Sequence, residues 1–261
     1  MRSVPPGWET DLAILEHTGA VVEHHADHLV VRSPHHREFH WGNFLLVTNE
    51  DEVNDADRWV QAFDEAFPDA DWVAIGLPRM PEADEPWVAH GLALELDEVL
   101  TTRTLPRRAP LPDGYTVRRI GGRDWDQSLA RSLASNEGTD EHDPASFERF
   151  ARGRLQARQS LSDRDLGAWF GAFTDDALVA DLGIVRCGTT ARYQDVSTDE
   201  AHRRRGLAGH LLAVAAQWAA DGSCAQWVIV AEATHAAGRL YRSVGFAPDL
   251  GAVQAYRTPR R

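Results

Sequence analysis

A strand, an arginine-rich loop and a helix follow one another in the segment that most constrains the fold, Asp195–Trp218. A helix that begins directly after a glycine-containing loop directs several unpaired backbone N–H groups, and the positive end of its dipole, to one point. The segment therefore predicts a binding site for phosphate or pyrophosphate. Apolar residues at helical spacing support the helix: Leu211, Leu212, Val214, Ala215 and Trp218.

The residues of this loop suit the close approach of a diphosphate. Gly206 and Gly209 have no side chain and Ala208 has only a methyl group, so a ligand can come near the main chain. Arginine side chains add positive charge around them. The remaining members of the predicted loop are Arg203, Arg204, Arg205 and Leu207.

The charge of the chain limits its partners. The formal net charge is −13, and every fixed positive charge is an arginine. This balance argues against nucleic acid and anionic membranes as partners. It is compatible with an amine substrate, although a solvated acidic surface is the more common explanation.

The remaining composition indicates a cytoplasmic protein. No apolar run approaches the length of a membrane span, and the N-terminal residues have no signal-peptide pattern. Cys187 and Cys224 lack metal-ligand spacing and are expected to be buried free thiols. Histidines cluster in the first half of the chain without helical i, i+4 pairs, so we expect solvated histidines and no metal.

The first half predicts alternating strands and helices. The expected helices cover Leu12–Gly19 and Trp59–Phe67, and the expected strands cover His28–Ser33, Phe39–Val47, Trp72–Leu77, Trp87–Ala89, Leu92–Leu96 and Glu98–Thr102. The same order of elements recurs in the second half at an offset of roughly 150 residues, which indicates an internal duplication.

The two copies differ at their loops. The first has an acidic run, Asn49–Asp55, where the second has arginines and glycines. Carboxylates would repel a pyrophosphate, so the first copy cannot bind such a ligand in the same manner. We expect it to pack on the second copy and help shape the substrate cleft.

A proline-rich segment marks the expected domain boundary. We place a degenerate N-terminal domain at residues 1–105, a semi-rigid linker at 106–113 and the functional domain at 114–261. The sequence of the second domain predicts the following order of elements: a strand, two helices, a three-strand meander, the arginine loop, a helix, a strand, a helix and two further strands.

Two motifs in this domain resemble those of the GCN5-related N-acetyltransferase (GNAT) superfamily. Arg203-x-x-Gly206-x-Ala208 is similar to the family's acyl-CoA pyrophosphate loop, and Ala237-x-x-Leu240-Tyr241-x-x-x-Gly245-Phe246 is similar to a second motif downstream. The resemblance covers roughly residues 115–258. It implies a mixed α/β sheet of the acyl-CoA acyltransferase fold and, with the duplication, two tandem GNAT-like domains.

The resemblance also implies roles for individual residues. Val196, Ser197 and Thr198 would hydrogen-bond the pantetheine arm of the cofactor, with the Val196 N–H polarising the thioester carbonyl. Tyr241 would contact the cofactor and protonate the departing thiolate. Thr234 stands where the family often has asparagine, and would cap the next helix and contact the ligand.

The general base stays open between three carboxylates: Asp195, Glu232 and Glu137. Glu137 could instead bind a cation of the substrate. The resemblance implies transfer of an acetyl group from acetyl-CoA, without a metal, to a primary amine by direct attack in a ternary complex. The acceptor is a small molecule or a peptide. The alternative is a non-catalytic CoA-binding or amine-sensing module, and we expect a monomer or a homodimer.

Overall fold

The structure, a computed structural model, describes residues 4–135, 143–232 and 237–258, and only the backbone of Glu232. Its helices are Pro6–His17 (α1), Ala56–Ala66 (α2), Glu85–Ala89 (α3), Asp124–Ala134 (α4), Pro144–Asp163 (α5), Leu207–Asp221 (α6) and Ala237–Ser243 (α7). Its strands are Val21–His24 (β1), His28–Arg32 (β2), Phe44–Val47 (β3), Val73–Leu77 (β4), Ala93–Thr102 (β5), Thr116–Arg119 (β6), Gly167–Thr174 (β7), Ala177–Cys187 (β8), Thr190–Thr198 (β9), Gln226–Glu232 (β10), Ala247–Pro248 (β11) and Ala252–Arg257 (β12).

The chain divides into two compact units. The described part of unit 1 is residues 4–99, 230–232 and 248–258, and that of unit 2 is 100–135, 143–229 and 237–247. The two units are defined by contacts in space, and each contains several separate segments of the chain. The domains expected from the sequence are consecutive segments, so their boundaries stay a prediction. No helix among the described residues is both long and apolar enough to cross a membrane.

Unit 1 is built on a mixed sheet with the strand order β1-β2-β3-β4-β12-β5. Neighbouring strands are antiparallel except β3 and β4, which are parallel and pair Leu45 with Ile75. The amphipathic helix α2 between those two strands buries Trp59, Val60 and Phe63, as its sequence pattern predicts. The last strand of the chain, β12, therefore completes the sheet of the first unit.

Unit 2 is built on a sheet with the order β10-β9-β8-β7-β6. The strands β6 to β9 form an antiparallel meander, and β10 returns parallel to β9 after helix α6. Helix α6 packs on β7, β8 and β9 and buries one face, which includes Leu211, Leu212, Ala215, Ala216 and Ala219. Both units thus contain two parallel strands joined by a helix, which confirms the predicted mixed α/β fold.

The prediction of a strand over Phe39–Val47 is wrong for its first residues. His40–Gly42 forms a 3-10 helix, and β3 begins at Phe44. The side chain of Asn43 explains the break, because its Oδ1 accepts a hydrogen bond from the Ser33 N–H at 2.9 Å and its Nδ2 donates to the Phe39 carbonyl at 2.9 Å. These bonds replace the ladder bonds that a strand would make.

The predicted strand at Trp87–Ala89 is also wrong, because these residues lie in α3. Pro86 suits the first turn of a helix, and the Val88 N–H donates to the Asp84 carbonyl at 2.9 Å. The side chain of Trp87, which lies on this helix, is fully buried. A three-residue apolar run does not distinguish a buried strand from a buried helical turn. The two strands expected in Leu92–Thr102 are one strand, β5.

Candidate functional site

Strand β9 carries a bulge at the position predicted for the acyl group. Gln194 pairs with Gly183 and Ser197 with Asp181, so Asp195 and Val196 together face a single residue of β8. Asp195 adopts φ of +50° to make this irregularity. A bulge of this kind interrupts the hydrogen-bond ladder and redirects backbone groups. The bulge therefore takes Asp195 and Val196 out of the one-to-one pairing between β9 and β8.

The parallel pairing of β9 covers only its first residues. Gln226, Trp227 and Val228 of β10 pair with Thr190–Arg192, and β9 continues to Thr198 beyond that pairing. The predicted pantetheine-binding residues Val196–Thr198 lie on this extension. A strand edge with N–H and C=O groups available is suited to an extended amide-containing ligand.

The arginine loop leads into α6 through two left-handed residues. Arg204 has φ of +63° and Gly206 has φ of +85°, and α6 begins at Leu207. Arg203 Nε donates to the Thr198 carbonyl at 3.1 Å, and Arg205 Nη2 donates to the Ala201 carbonyl at 3.3 Å. Two of the arginines therefore fix the loop to its own backbone while their residues stay exposed.

The N-terminus of α6 has no side-chain cap. Gly206 occupies the cap position, and it has no side chain to accept from the first-turn N–H groups of α6. Those donors, together with the helix dipole, favour an anion. Left-handed residues just before a helix also turn successive N–H groups towards one point. This geometry agrees with the predicted anion-binding loop at residues 203–209.

The corresponding helix of unit 1 is capped. The side chain of Asp55 accepts the N–H of Arg58 at 3.1 Å at the start of α2. The Arg58 guanidinium also binds the carboxylates of Asp27 and Glu52. Asp55 thus places a carboxylate of the chain itself where an anion would bind at the start of α2.

A segment that sequence reasoning treated only as a linker contacts the start of α6. His210 is 6% exposed, its Nδ1 lies 2.8 Å from the Ala109 carbonyl oxygen, and its Nε2 lies 3.1 Å from Arg108 Nη2. A Cβ placed on Gly209 would lie 3.4 Å from the Cβ of Ala109. The sequence signal for this contact is a histidine in the first ten residues of α6, which are otherwise apolar.

Tyr241 lies on α7 and is 5% exposed. Its ring contacts that of Phe246 at a centroid distance of 6.4 Å. Burial raises the pKa of the Tyr241 phenol to about 12. A phenol with this pKa is protonated at neutral pH, so it can donate a proton but does not act as a base. Residues of the same motif adjoin the loop, since a Cβ on Gly209 would lie 3.8 Å from Val244 and 4.0 Å from Leu240.

Asp195 is held by two arginines of α5. Arg154 Nη2 lies 2.8 Å from both carboxylate oxygens, and Arg158 Nη2 lies 2.8 Å from Oδ2. Desolvation raises the pKa of Asp195, but the two guanidinium groups outweigh it and hold that pKa well below its ordinary value. The carboxylate is therefore a weak base.

Ser197 belongs to a second polar network on β8 and α4. Its Oγ lies 2.9 Å from Asp181 Oδ1 and accepts from Arg131 Nη2 at 2.7 Å. Asp181 also accepts from Ser128 at 3.0 Å, and Arg131 pairs with Asp199 at 3.1 Å. This network holds the end of β9 just before the arginine loop. The sequence analysis missed its members on α4, Ser128 and Arg131, because their partners are distant in sequence.

Several predicted site residues are not placed by the structure. Glu137 and Thr234 lie outside the described residues, and Glu232 ends β10 with only its backbone described. Cys187 and Cys224 are free thiols, the first half-buried and the second buried. Among residues 4–135, 143–232 and 237–258, no group of three or more His, Cys, Asp or Glu side chains could hold a metal ion.

The bulged strand, the uncapped glycine loop and the parallel return strand define an acyltransferase-like domain in unit 2. Residues 128–246 match the family model described as Acetyltransferase (GNAT) family. The chain therefore contains a domain of the GNAT acetyltransferase family. The comparison with curated proteins gives no match.

Solved structures share this fold along the whole chain. A GCN5-related N-acetyltransferase from Kribbella flavida is 16% identical, with a TM-score of 0.67 over 97% of this chain and 96% of that one. A functionally unknown conserved protein from Staphylococcus epidermidis is 11% identical, with a TM-score of 0.73 over 93% and 96%. A tandem GNAT protein from the clavulanic acid biosynthesis pathway is 12% identical, with a TM-score of 0.54 over 99% of each chain. The fold is thus that of a tandem GNAT protein, with a second GNAT-like unit in the first half.

Proposed function

We propose that this protein is an N-acetyltransferase that moves an acetyl group from acetyl-CoA to a primary amine, with the reaction in unit 2. One observation carries the proposal: the helix after the loop is uncapped at Gly206 in unit 2, whereas Asp55 caps the equivalent helix of unit 1. An anionic cofactor would have free N–H donors only at the first of these two helices.

The cofactor is proposed to lie along β9 and the loop. Backbone N–H groups of residues 204–209 would bind the pyrophosphate, with the arginines adding charge. The pantetheine amides would pair with Val196–Thr198, and the N–H of Val196 would polarise the thioester carbonyl. The bulge at Asp195 and the extension of β9 beyond its pairing with β10 support this placement.

The proposed reaction is direct attack within a ternary complex. The amine nitrogen forms a bond to the thioester carbonyl carbon, and the C–S bond breaks. Tyr241 gives its phenolic proton to the departing thiolate, and the proton lost by the amine restores the phenol through solvent. The role requires a protonated phenol, and with a pKa of about 12 Tyr241 is protonated at neutral pH.

The attacking amine needs a general base that takes its proton before solvent returns a proton to Tyr241. The ion pairs of Asp195 with Arg154 and Arg158 make it a poor candidate. Glu232 and Glu137 stay proposals for the general base, either directly or through water.

Ligand binding and turnover test the proposal separately. Acetyl-CoA should raise the unfolding temperature, by an amount equivalent to about 2.7 kcal/mol at 100 times its Kd, and ATP should not. A panel of primary amines should then release CoA thiol. Stabilisation by ATP without stabilisation by acetyl-CoA would contradict the cofactor assignment, and binding without any turnover would favour the CoA-binding module.

A further inference from the structure

Asp181 and Arg131 join the end of β9 to the neighbouring strand and to helix α4. Asp181 lies on β8 and is 7% exposed, and its Oδ1 is 2.9 Å from the hydroxyl of Ser197. Arg131 lies on α4, and its Nη2 donates to the same hydroxyl at 2.7 Å. Because a carboxylate only accepts and a guanidinium only donates, Ser197 Oγ donates to Asp181 and accepts from Arg131. These two side chains therefore hold the hydroxyl in both of its roles.

Further hydrogen bonds hold Asp181 and Arg131 themselves. Asp181 Oδ2 accepts from the hydroxyl of Ser128 on α4 at 3.0 Å, and Arg131 Nη1 donates to the Leu178 carbonyl on β8 at 3.0 Å. Arg131 Nη2 also pairs with Asp199, just after β9, at 3.1 Å. A buried polar network with satisfied members is rigid and favours a single arrangement. The network thus holds α4, β8 and the end of β9 together at one point.

The bond between Asp181 and Ser197 depends on the register of the two strands. These residues are directly opposite each other beyond the bulge, whereas Gln194 faces Gly183 before it. Three steps along β9 therefore correspond to two steps along β8. A slip of one residue would close the bulge and turn the Ser197 side chain to the other face of the sheet, away from Asp181. The network therefore opposes a slip that would remove the bulge.

The bulge needs such an anchor because its backbone conformation is unfavourable. Asp195 has φ of +50°, in a region that residues other than glycine populate sparsely. A residue of this kind persists only where the surrounding structure imposes its conformation. The contacts beyond the bulge are therefore part of what keeps Asp195 and the next residue, Val196, in place.

The backbone N–H of Val196 is the group proposed to polarise the thioester carbonyl. Such a donor acts only when it is held at hydrogen-bond distance from the acyl oxygen, and a displacement of about 1 Å can cost roughly 10²-fold in rate. We infer that Asp181 and Arg131 are positioning residues, which fix the register of β9 and thereby hold the Val196 N–H against the acyl carbonyl. This inference rests on the proposed acetyl transfer.

The carbonyl stretch of bound acetyl-CoA tests the inference without an acceptor. Isotope-edited infrared difference spectra compare acetyl-CoA labelled with carbon-13 at the carbonyl, free and bound to the full chain. A hydrogen bond from Val196 weakens the C=O bond, so the band of the wild-type complex should lie at lower wavenumber than that of the free ligand. Most of this displacement should disappear in Asp181→Asn, because the amide has one acceptor oxygen where the carboxylate has two.

Binding and turnover should respond differently to the same substitution. Asp181→Asn should lower kcat about tenfold or more on an amine that the wild type acetylates. The Kd for acetyl-CoA should stay within about threefold of wild type, because the arginine loop is unchanged. Arg131→Gln removes the other partner of Ser197 and should reproduce both effects and the infrared change. Circular dichroism verifies that each variant is folded.

Asp124→Asn is the matched control. Asp124 lies at the start of the same helix, is 6% exposed and accepts from Arg118 Nη2 at 2.8 Å, so it is also a buried carboxylate bound to an arginine. Arg118 lies on β6 at the far edge of the sheet from β10, and neither residue contacts β9 through this pair. The control should lose stability while the carbonyl band and kcat stay as in wild type.

The outcomes separate this inference from the proposed function. If acetyl-CoA does not bind the wild type, the proposed function fails. If it binds and the carbonyl band is displaced equally in wild type, Asp181→Asn and Arg131→Gln, the function stands and the inference is wrong. Loss of the displacement in Asp124→Asn as well would show a general loosening of the unit, which also contradicts the inference. A wild-type band at the position of the free ligand would exclude polarisation by Val196 and the inference with it.

Discussion

The imidazole of His210 connects α6 to the proline-rich segment through the carbonyl of Ala109, at 2.8 Å from Nδ1. A carbonyl only accepts and the Arg108 guanidinium only donates, so we assign the hydrogen to Nδ1 and the lone pair to Nε2. The imidazole holds residues 108–109 against the first turn of the helix that begins at the arginine loop.

His210→Ala should lower the free energy of unfolding by roughly 0.5–1.5 kcal/mol, because it removes the hydrogen bond to the part-buried Ala109 carbonyl. Urea unfolding measures the change. Acetyl-CoA binding should also weaken, since the loop and the segment pack together. His90→Ala, which removes a side-chain contact with the exposed Asp57, should change stability by no more than about 0.5 kcal/mol. If His210→Ala lowers the free energy of unfolding no more than His90→Ala does, the contact between His210 and Ala109 has no structural role.

Gly206→Asp should raise the Kd for acetyl-CoA at least about tenfold, because a carboxylate at the helix N-terminus competes with the pyrophosphate. Gly206→Asn is the matched variant, since both residues tolerate a positive φ and only the charge differs. Isothermal titration calorimetry gives both values. Weakening of equal size in the two variants would attribute the effect to backbone strain.

Asp55→Ala in unit 1 should affect stability, unlike the Gly206 variants, which should affect acetyl-CoA binding. Loss of this cap should cost about 0.5–2 kcal/mol of stability, with acetyl-CoA binding unchanged. Thermal unfolding and calorimetry measure the two effects. A gain of a second acetyl-CoA per chain would show that the cap alone excludes the cofactor from unit 1.

Tyr241→Phe should lower kcat by roughly 10²-fold or more with little change in the Kd for acetyl-CoA, because only the proton donor is lost. Tyr256→Phe provides a control in unit 1, where desolvation and the nearby Asp71 raise the tyrosine pKa to about 12 as well. Steady-state kinetics on one responsive amine distinguishes the two. An unchanged rate in Tyr241→Phe would exclude the acid role.

The buried tyrosines predict loss of stability at alkaline pH. The phenol pKa rises from 10.0 to about 12 in Tyr241 and in Tyr256. A raised folded-state pKa contributes stability that is complete below the unfolded pKa, near 10, and is lost as the pH rises through about 12. Urea midpoints between pH 9 and 11.5 should therefore fall, and Tyr256→Phe should flatten this decline.

Asp195→Asn should lower kcat by less than about tenfold, in contrast to the 10²–10⁴-fold loss expected when a general base is removed. The guanidinium groups keep the carboxylate ionised well below its ordinary pKa, so it takes up little proton at neutral pH. Because the pKa is lowered, Asp195 should give no acidic limb in the pH–rate profile above pH 3.8. An acidic limb that is present in the wild-type profile and absent in Asp195→Asn would support Asp195 as the general base.

Local patterns predicted those parts of the fold that local interactions determine. The loop, α6 and α2 were evident because glycine, helical periodicity and caps act within a few residues. The 3-10 helix at His40–Gly42 was missed because Asn43 bonds to Ser33 across a turn. Likewise, Arg154 and Arg158 reach Asp195 only through the tertiary placement of α5, which packs on α4 and β7, so sequence spacing gave no indication of them.

The position of β12 affects how the protein is made. This strand lies between β4 and β5, and Val253 pairs with Leu77 on one side and Leu96 on the other. In the order of synthesis β12 follows the whole of the acetyltransferase-like unit, so the sheet of the first unit stays divided while that unit is being made. Until β12 is available, β4 and β5 would each present an unpaired edge, and the nascent chain would depend on protection from aggregation.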